Sequence, residues 1–327
     1  IDSLMDATGS SVGFVAPSLP EQHRSVEGGI LRVDGKPLAL TEAARDAVTP
    51  IHESRVPELL RAQSRRKVVW IGLDQVGSTV DALHAEVMRH GSSGNGVLIV
   101  FDAATRADLR NIAEAGFRMP QQPLWIGSAG LAGEVAGMLS SDAGRRPSPF
   151  GDAGSMRILW VCGSASGVTH GQIRYLEERG SVAAFELYAG MGSTPSGQDA
   201  VLRTAERMGR ALGQGHVLLK PPHARLEPRD DAPVQTRITE DLGLMTRHAL
   251  AASGLPVGSL VLVAAGGDTA AAVLQALGAE ELRILGQALD GIVVSRLAGG
   301  PYDGLRIITK AGAFGQEDAF EKIIGFV

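Results

Sequence analysis

Short apolar runs alternate with amphipathic stretches along most of the chain. Residues 67–73 and 96–101 are apolar runs of strand length, and residues 78–90 between them carry apolar side chains at helical spacing. Strands that are apolar throughout and alternate with helices are typical of a parallel sheet covered by helices on both faces. The pattern therefore predicts an α/β fold.

The same alternation restarts after a polar segment at residues 140–155, which contains two prolines, three glycines and no apolar period. A chain of 327 residues also exceeds a typical single domain. We therefore predict two domains, residues 1–145 and 155–327, each a mainly parallel sheet flanked by helices.

Specific elements follow from the periodicity. In the second half, strands are predicted at residues 156–162, 182–187, 216–220, 261–265, 292–297 and 305–310. Residues 221–237 are charged and rich in proline, which indicates a loop before a helix at residues 240–252. In the first half, residues 12–20 read as a strand stopped by prolines, and residues 21–66 as an excursion with a hairpin turn at Asp34-Gly35.

Charge and cysteine content exclude several classes of function. The net charge is −5 and no basic stripe with interleaved aromatic residues occurs, so a nucleic-acid partner is not expected. No apolar run approaches the roughly 18 residues of a membrane span. The lone cysteine, Cys162, lies on a predicted strand and is compatible with a reducing cytosol and a cytoplasmic protein. The eight histidines form no metal-binding spacing, and no G-x-S-x-G nucleophile motif is present.

Three glycine-rich turns in the second half each follow an apolar strand. They are Gly163-Ser164-Ala165-Ser166, Gly266-Gly267-Asp268-Thr269 and Lys310-Ala311-Gly312-Ala313-Phe314-Gly315. Because ligands bind at the carboxyl ends of parallel strands, these turns together favour a polyphosphate site lined by Ser164, Ser166, Thr269 and Lys310. Neither the P-loop nor the G-x-G-x-x-G pattern occurs, so both common nucleotide fingerprints are absent.

The second turn is the most informative of the three, because a strand passes through paired glycines directly into a helix. The first N–H groups of such a helix have no partner within the helix and attract anions. Asp268 or Thr269 could cap the helix, or either could meet a cation such as Mg²⁺ or a substrate hydroxyl. In the alternative interpretation the glycines only permit a tight turn. Lys310 could likewise neutralise phosphate or simply end its strand.

A fourth turn of this kind, Gly127-Ser128-Ala129-Gly130-Leu131-Ala132-Gly133, lies in the first half. It could bind an anion or let a helix approach the sheet closely, and the second reading is favoured. The order of the four turns resembles that of the four-carbon acid-sugar kinase family. The resemblance extends to residues 16–20, Arg24, Gly28-Gly29 and residues 46–50, and so covers nearly the whole chain.

The resemblance implies an N-terminal domain that holds a sugar acid and a C-terminal domain that binds ATP with Mg²⁺. The nucleotide contacts implied by the family and by the turns are Ser164, Ser166, Gly266, Gly267, Asp268, Thr269, Lys310, Gly312 and Gly315. Arg24 is a candidate partner for the substrate carboxylate, with a plain surface arginine as the alternative. Asp2 and Ser3 match part of the family motif Lys-Ile-Asp-Ser-Thr-Leu-Arg-Gly and are candidate substrate ligands.

Two departures from the family pattern stand out. Position 313 is Ala where the family has Gly. Family members also begin with a strand followed by an Asp-Asp-x-Thr-Gly-Ala motif that helps to bind substrate, and this motif is absent here. A junction between Ser3 and Leu4 would explain the second departure, and we expect much of the sugar-acid pocket to lie outside this sequence.

The resemblance implies an ATP-dependent kinase that phosphorylates a four-carbon acid sugar at O4. The Ala-Gly form of the third turn favours threonate or erythronate as the substrate, and 3-oxo-tetronate is the alternative. Asp268 would be the catalytic residue, either as a Mg²⁺ ligand or by orienting the hydroxyl. The expected partners are a small sugar acid and ATP, and a homo-oligomer is left open. A non-catalytic nucleotide- or sugar-acid-binding protein is the alternative from another class, and a nucleotide-sugar transferase is a second enzyme alternative.

Overall fold

The computed structural model describes residues 1–45, 49–90, 96–140, 150, 156–188, 194–222 and 232–327. Two compact units account for the internal contacts, Ile1–Arg145 and Arg146–Val327. Most of the predicted linker at residues 140–155 lies outside the described residues. Each unit is built on a sheet with parallel strands flanked by helices, which confirms the predicted fold class.

The first unit contains a four-stranded parallel sheet and a small antiparallel sheet. Its strands are β1 (Val12–Ala16), β2 (Arg24–Glu27), β3 (Ile30–Val33), β4 (Lys36–Pro37), β5 (Lys67–Ile71), β6 (Val97–Phe101) and β7 (Leu124–Gly127). Its helices are α1 (Asp2–Thr8), α2 (Val56–Gln63), α3 (Leu73–Val76), α4 (Val80–His90), α5 (Arg106–Phe117) and α6 (Ala129–Leu139). The parallel sheet has the order β5-β6-β1-β7, and β2, β3 and β4 form the excursion with the predicted hairpin turn.

The apolar pattern explains this arrangement. β1 and β6 are buried along their whole length, as expected for central strands covered on both faces. Apolar residues of α4, α5 and α6 pack on one face, and residues of α1 and α2 pack on the other. Thr105 is the N-cap of α5. Its hydroxyl accepts the Asp108 N–H at 3.2 Å, and the Asp108 carboxylate accepts the Thr105 N–H at 2.8 Å.

The second unit has a seven-stranded sheet. Its strands are β8 (Arg157–Cys162), β9 (Val182–Glu186), β10 (His216–Lys220), β11 (Leu260–Ala265), β12 (Glu281–Leu289), β13 (Ile292–Ala298) and β14 (Arg306–Lys310). Its helices are α7 (Gly167–Glu178), α8 (Pro195–Gln214), α9 (Ala232–Ser253), α10 (Gly267–Ala276) and α11 (Ala319–Phe326). The strand order is β12-β13-β14-β11-β8-β10-β9; the last five are parallel, and β12 and β13 are antiparallel to their neighbours.

Two elements of the second unit differ from the sequence-based expectation. Strand β12 was not predicted, because it is an edge strand whose first four residues are exposed and whose register shifts near Gly286. The predicted loop at residues 221–237 is wrong at its end, since α9 already begins at Ala232. Pro233 is tolerated there because the first turn of a helix does not use its N–H groups. Residues 223–231 lie outside the described part.

Helices α8, α9 and α10 cover one face of the large sheet, and α7 and α11 cover the other. In the part of the chain that the structure describes, no helix is long and apolar enough to cross a membrane.

Candidate functional site

The three glycine-rich turns of the second unit leave the sheet side by side. They follow β8, β11 and β14, which are neighbours in the sheet with β11 in the middle. Ala265 at the end of β11 lies opposite Cys162 on one side and opposite Lys310 on the other. The strands therefore end level, and the turns meet at one point on the carboxyl edge.

The first turn is shaped by its own serines. The Ser164 hydroxyl accepts the Ser166 N–H at 3.2 Å. Ser166 is the N-cap of α7, and its hydroxyl accepts the Val168 N–H at 3.3 Å. Both serines are only half-buried, so they line the turn while they hold it in place.

The second turn starts α10 without a side-chain cap. Gly266 is the N-cap with φ of 110°, a conformation that favours glycine, and its N–H donates to the Lys310 carbonyl at 2.9 Å. Asp268 and Thr269 already lie inside the first helical turn, so the interpretation that either of them caps the helix is wrong. Within the described residues, no protein acceptor is found for the N–H groups of Gly267, Asp268 and Thr269.

Close packing accounts for the glycines at two other positions. A Cβ on Gly163 would lie 2.5 Å from the Thr269 Oγ1, and a Cβ on Gly312 would overlap the Ser164 Oγ. The first turn thus touches both of the others. Gly267 is different, because a Cβ there would meet nothing within 4 Å and the residue is exposed. The fold itself does not require glycine at position 267.

The side chain of Lys310 binds the backbone carbonyls of the third turn. This lysine is 2% exposed, and its Nζ donates to the carbonyls of Ala311, Gly312 and Phe314 at 2.9, 3.0 and 3.0 Å. Burial lowers the pKa of Lys310 to about 8. The expectation that this ammonium meets phosphate directly is therefore corrected, because its donors are directed to the loop carbonyls. Gly315 closes the turn with φ of 84°.

The thiol beside this lysine is inert. Cys162 is fully buried at the end of β8, and burial raises its pKa to about 12. It is therefore a core residue, as the sequence indicates.

Asp268 is exposed at the start of α10, and among the described residues it has no hydrogen-bond or ion-pair partner. No cluster of three or more potential metal ligands exists within the described residues either. A Mg²⁺ ion that arrives with nucleotide phosphates needs only one or two protein carboxylates. Asp268 fits that requirement.

A buried carboxylate organises the corresponding edge of the first unit. Asp102 follows β6 directly and is 2% exposed. It accepts the N–H groups of Gly28 and Gly29 at 2.7 and 2.8 Å and the Trp70 indole N–H at 2.9 Å. Both glycines have positive φ. Sequence reasoning did not single out Asp102; its position immediately after an apolar strand was the available signal.

Arg24 lies on β2, four residues before this glycine pair. It is half-buried, and burial lowers the pKa of its guanidinium, an effect that the nearby Asp34 carboxylate partly offsets. The fourth turn matches the reading that a helix approaches the sheet closely. A Cβ on Gly127 would lie 2.5 Å from the Ala16 carbonyl, and one on Gly130 would lie 2.6 Å from the Ser18 carbonyl.

The structure places Asp2 and Ser3 elsewhere. Both open α1, which runs through position 4 without a break. The Asp2 carboxylate accepts the Ser64 hydroxyl at 2.6 Å and the Arg65 N–H at 3.1 Å, just before β5 begins. It therefore lies at the amino edge of the first sheet, opposite the edge where ligands bind. The assignment of Asp2 and Ser3 as substrate ligands is corrected for this reason.

Comparison with known proteins agrees with the two-part architecture. A family model described as a sugar-binding N-terminal domain matches residues 1–135, and one described as a nucleotide-binding C-terminal domain matches residues 159–320. A solved structure from Salmonella typhimurium LT2 superposes with a TM-score of 0.75 at 22% identity, covering 98% of this chain and 75% of that one. At this identity the superposition supports the fold alone.

Several relatives of known activity are similar over nearly the whole chain. A D-threonate kinase from Salmonella typhimurium is 29% identical over 97% of this chain and 74% of its own length. A D-threonate kinase from Bordetella bronchiseptica is 30% identical, with coverages of 94% and 69%. A 3-oxo-tetronate kinase from Pseudomonas fluorescens is 30% identical, with coverages of 99% and 74%. The chain is therefore a sugar-acid kinase that belongs to the four-carbon acid-sugar kinase family, as the order of its glycine-rich turns predicted.

Proposed function

We propose that this kinase transfers the terminal phosphate of ATP to O4 of threonate or erythronate. The second unit would bind the nucleotide and the first unit the sugar acid. Relatives that act on D-threonate and D-erythronate align over 97% and 98% of the chain, which supports this substrate class. A 3-oxo-tetronate kinase aligns equally well, so the acid must be identified by assay.

The start of α10 is the observation that supports nucleotide binding most directly. It lies between two other glycine-rich turns, its first two residues Gly267 and Asp268 are exposed, and the fold does not require glycine at position 267. Helix starts of this kind bind phosphate because their N–H groups and the helix dipole both favour negative charge.

Asp268 is the proposed catalytic residue. Phosphoryl transfer requires mainly positioning and charge stabilisation from the protein. When bound, Mg²⁺ would neutralise charge on the phosphate oxygens. Asp268 would hold that ion or, in the other role left open, orient the attacking hydroxyl. Ser164, Ser166, Gly266 and Gly267 would surround the phosphates, whereas the buried Thr269 side chain packs against Gly163.

In the first unit, Arg24 is the proposed partner of the substrate carboxylate, since a guanidinium binds a carboxylate with two parallel hydrogen bonds. Its strand continues into the Gly28-Gly29 turn, which Asp102 fixes through two backbone N–H groups. A strand held at this turn keeps Arg24 in a constant position. Replacement of Arg24 by Lys retains the charge but loses the bidentate geometry, and should raise KM for the acid without changing ADP affinity.

The proposal is tested by two measurements on the same protein. Calorimetry with ADP tests the nucleotide site without any acid, and a coupled assay of ADP release tests turnover of D-threonate, D-erythronate and 3-oxo-tetronate. Phosphorus NMR of the product identifies the phosphorylated oxygen. We expect ADP binding, turnover of threonate or erythronate, and a phosphate on O4. ADP binding without turnover of any acid would favour the non-catalytic alternative, and absence of ADP binding would refute the proposed site.

A further inference from the structure

The backbone carbonyls of the third turn converge on buried side chains. Besides its three carbonyl contacts, the Lys310 Nζ lies 3.3 Å from the Thr169 Oγ1, and the Thr169 hydroxyl donates to the Gly312 carbonyl at 2.7 Å. The two N–H groups of the Gln172 Nε2 are shared among the carbonyls of Phe314, Gly315 and Gln316, which lie 3.0, 3.1 and 2.9 Å from the nitrogen.

We call Lys310, Thr169 and Gln172 the loop clamp. The three side chains come from β14 and α7, and each is at most 2% exposed. Together they bind the carbonyls of five of the six residues 311–316. A loop whose carbonyls are fixed in this way has a defined backbone orientation.

That orientation determines where the loop N–H groups lie. In a trans peptide the C=O and the following N–H point in opposite directions, and the described chain contains no cis peptide bond. Because the carbonyls of Ala311 and Gly312 point at the clamp, the N–H groups of Gly312 and Ala313 point away from it. Within the described residues neither N–H has a protein acceptor. Consecutive N–H groups with a common direction form an anion-binding concavity.

Position and energetics connect this concavity to the candidate nucleotide site. Gly312 packs directly on Ser164, and Gly266 at the start of α10 donates to the Lys310 carbonyl.

Burying an ammonium is costly, and a methionine of similar length would fill the space without that cost. What methionine could not do is attract three carbonyls at once and place a positive charge beneath the loop.

We propose that Lys310 is a positioning residue for the nucleotide phosphates. Through the loop clamp it turns the carbonyls of the third turn inward, so that the N–H groups of Gly312 and Ala313 form a phosphate subsite beside the start of α10. This inference rests on the proposed function, since it assumes that the second unit binds ATP.

The test compares Lys310→Met with Lys220→Met. Lys220 is a matched control because it also ends a strand of the same sheet and is 4% exposed, but its Nζ pairs with the Glu177 carboxylate at 2.6 Å. Affinities for ADP and for adenosine are measured by calorimetry on both variants and the wild type, with thermal unfolding as a check on folding. We expect Lys310→Met to weaken ADP binding at least about 10-fold, because loss of a hydrogen bond to a charged group typically costs about that factor. The adenosine affinity of Lys310→Met should stay within about 2-fold of wild type, because adenosine has no phosphate. The ADP affinity of Lys220→Met should stay within the same range, because Lys220 lies outside the phosphate subsite.

Equal ADP affinity in Lys310→Met and wild type would overturn the inference, as would equal losses for ADP and adenosine. A wild-type protein that binds no ADP would instead refute the proposed function, and the inference with it. Should Lys310→Met not fold, Thr169→Val and Thr169→Ser supply the same test, since only serine retains the hydroxyl that bonds to the Gly312 carbonyl. ADP affinity should fall in the valine variant and be retained in the serine variant. If ADP affinity falls in neither variant, the inference is overturned.

Discussion

Replacement of Gly267 by alanine separates a phosphate site from a merely tight turn. Gly267 is the first residue of α10, its φ is not in the positive range, and a Cβ there would meet nothing within 4 Å. Alanine should therefore stabilise the fold by about 0.5–1 kcal/mol, because it favours the helix and reduces the entropy of the unfolded chain. If phosphate approaches the Gly267 N–H closely, however, the added methyl occupies part of its space.

The expected loss of binding follows from overpacking. A methyl group forced into a filled site typically costs about 1–3 kcal/mol, which corresponds to roughly 5- to 150-fold weaker ADP binding. Gly213 in α8 is the matched control, since it is also helical and exposed and its added Cβ would also meet nothing within 4 Å. It lies near the end of α8, just before β10 begins, and so at the amino edge of the sheet, away from the three turns.

The assay is calorimetric titration of ADP into each variant, with urea unfolding of the same samples. We expect both variants to be at least as stable as wild type and only Gly267→Ala to bind ADP more weakly. Wild-type affinity in Gly267→Ala would refute the reasoning, because it would show that no ligand atom approaches the start of α10. A loss of stability in Gly267→Ala would contradict the open space around this residue.

Three further predictions concern the same edge. Asp268→Asn should lower kcat by roughly 10²-fold or more in the ADP-release assay while metal-free ADP affinity is retained, and a near-normal rate would remove Asp268 from the catalytic role. Gly312→Ala should weaken ADP binding because its Cβ overlaps the Ser164 hydroxyl and pushes the first and third turns apart; unchanged ADP affinity would contradict this contact between the two turns. The pKa of Lys310 is about 8 in the folded protein and 10.5 when the side chain is free. Between these values the unfolded chain binds more protons than the folded protein. The contribution of Lys310 to the free energy of unfolding should therefore rise by about 2 kcal/mol between about pH 7.5 and about pH 10. Urea unfolding of wild type and Lys310→Met should differ by at least this increment. The raised thiol pKa of Cys162 lowers stability above about pH 9 in both proteins, and more so in Lys310→Met, which lacks the ammonium charge that lowers this pKa. Parallel pH profiles would contradict the prediction.

The parts of the fold that could be predicted from the sequence are those where the apolar pattern is unambiguous. β11 is buried along its whole length and leads through glycines into α10, so both the strand and the turn were evident. β12 was missed because an edge strand with an exposed beginning has little apolar pattern to recognise.

The convergence of the three turns was predictable, but the chemistry of the candidate site was predictable only in part. Three turns after three parallel strands must lie on one edge, whichever way the side chains point. The direction of the Lys310 side chain is a tertiary property, because it depends on carbonyls from the following loop and on Thr169 from another helix. The assignment of Asp2 and Ser3 failed because a match of three residues, Ile1 to Ser3, does not specify at which edge of the sheet they lie.

The most direct test of the account is a crystal structure of the protein with ADP. We predict that the phosphates lie within about 3 Å of the N–H groups of Gly267 and Asp268 and of Gly312, the distance of an N–H···O hydrogen bond. The Lys310 ammonium should remain directed at the carbonyls of the third turn. A nucleotide whose phosphates lie away from the start of α10, or bound elsewhere on the protein, would contradict the account.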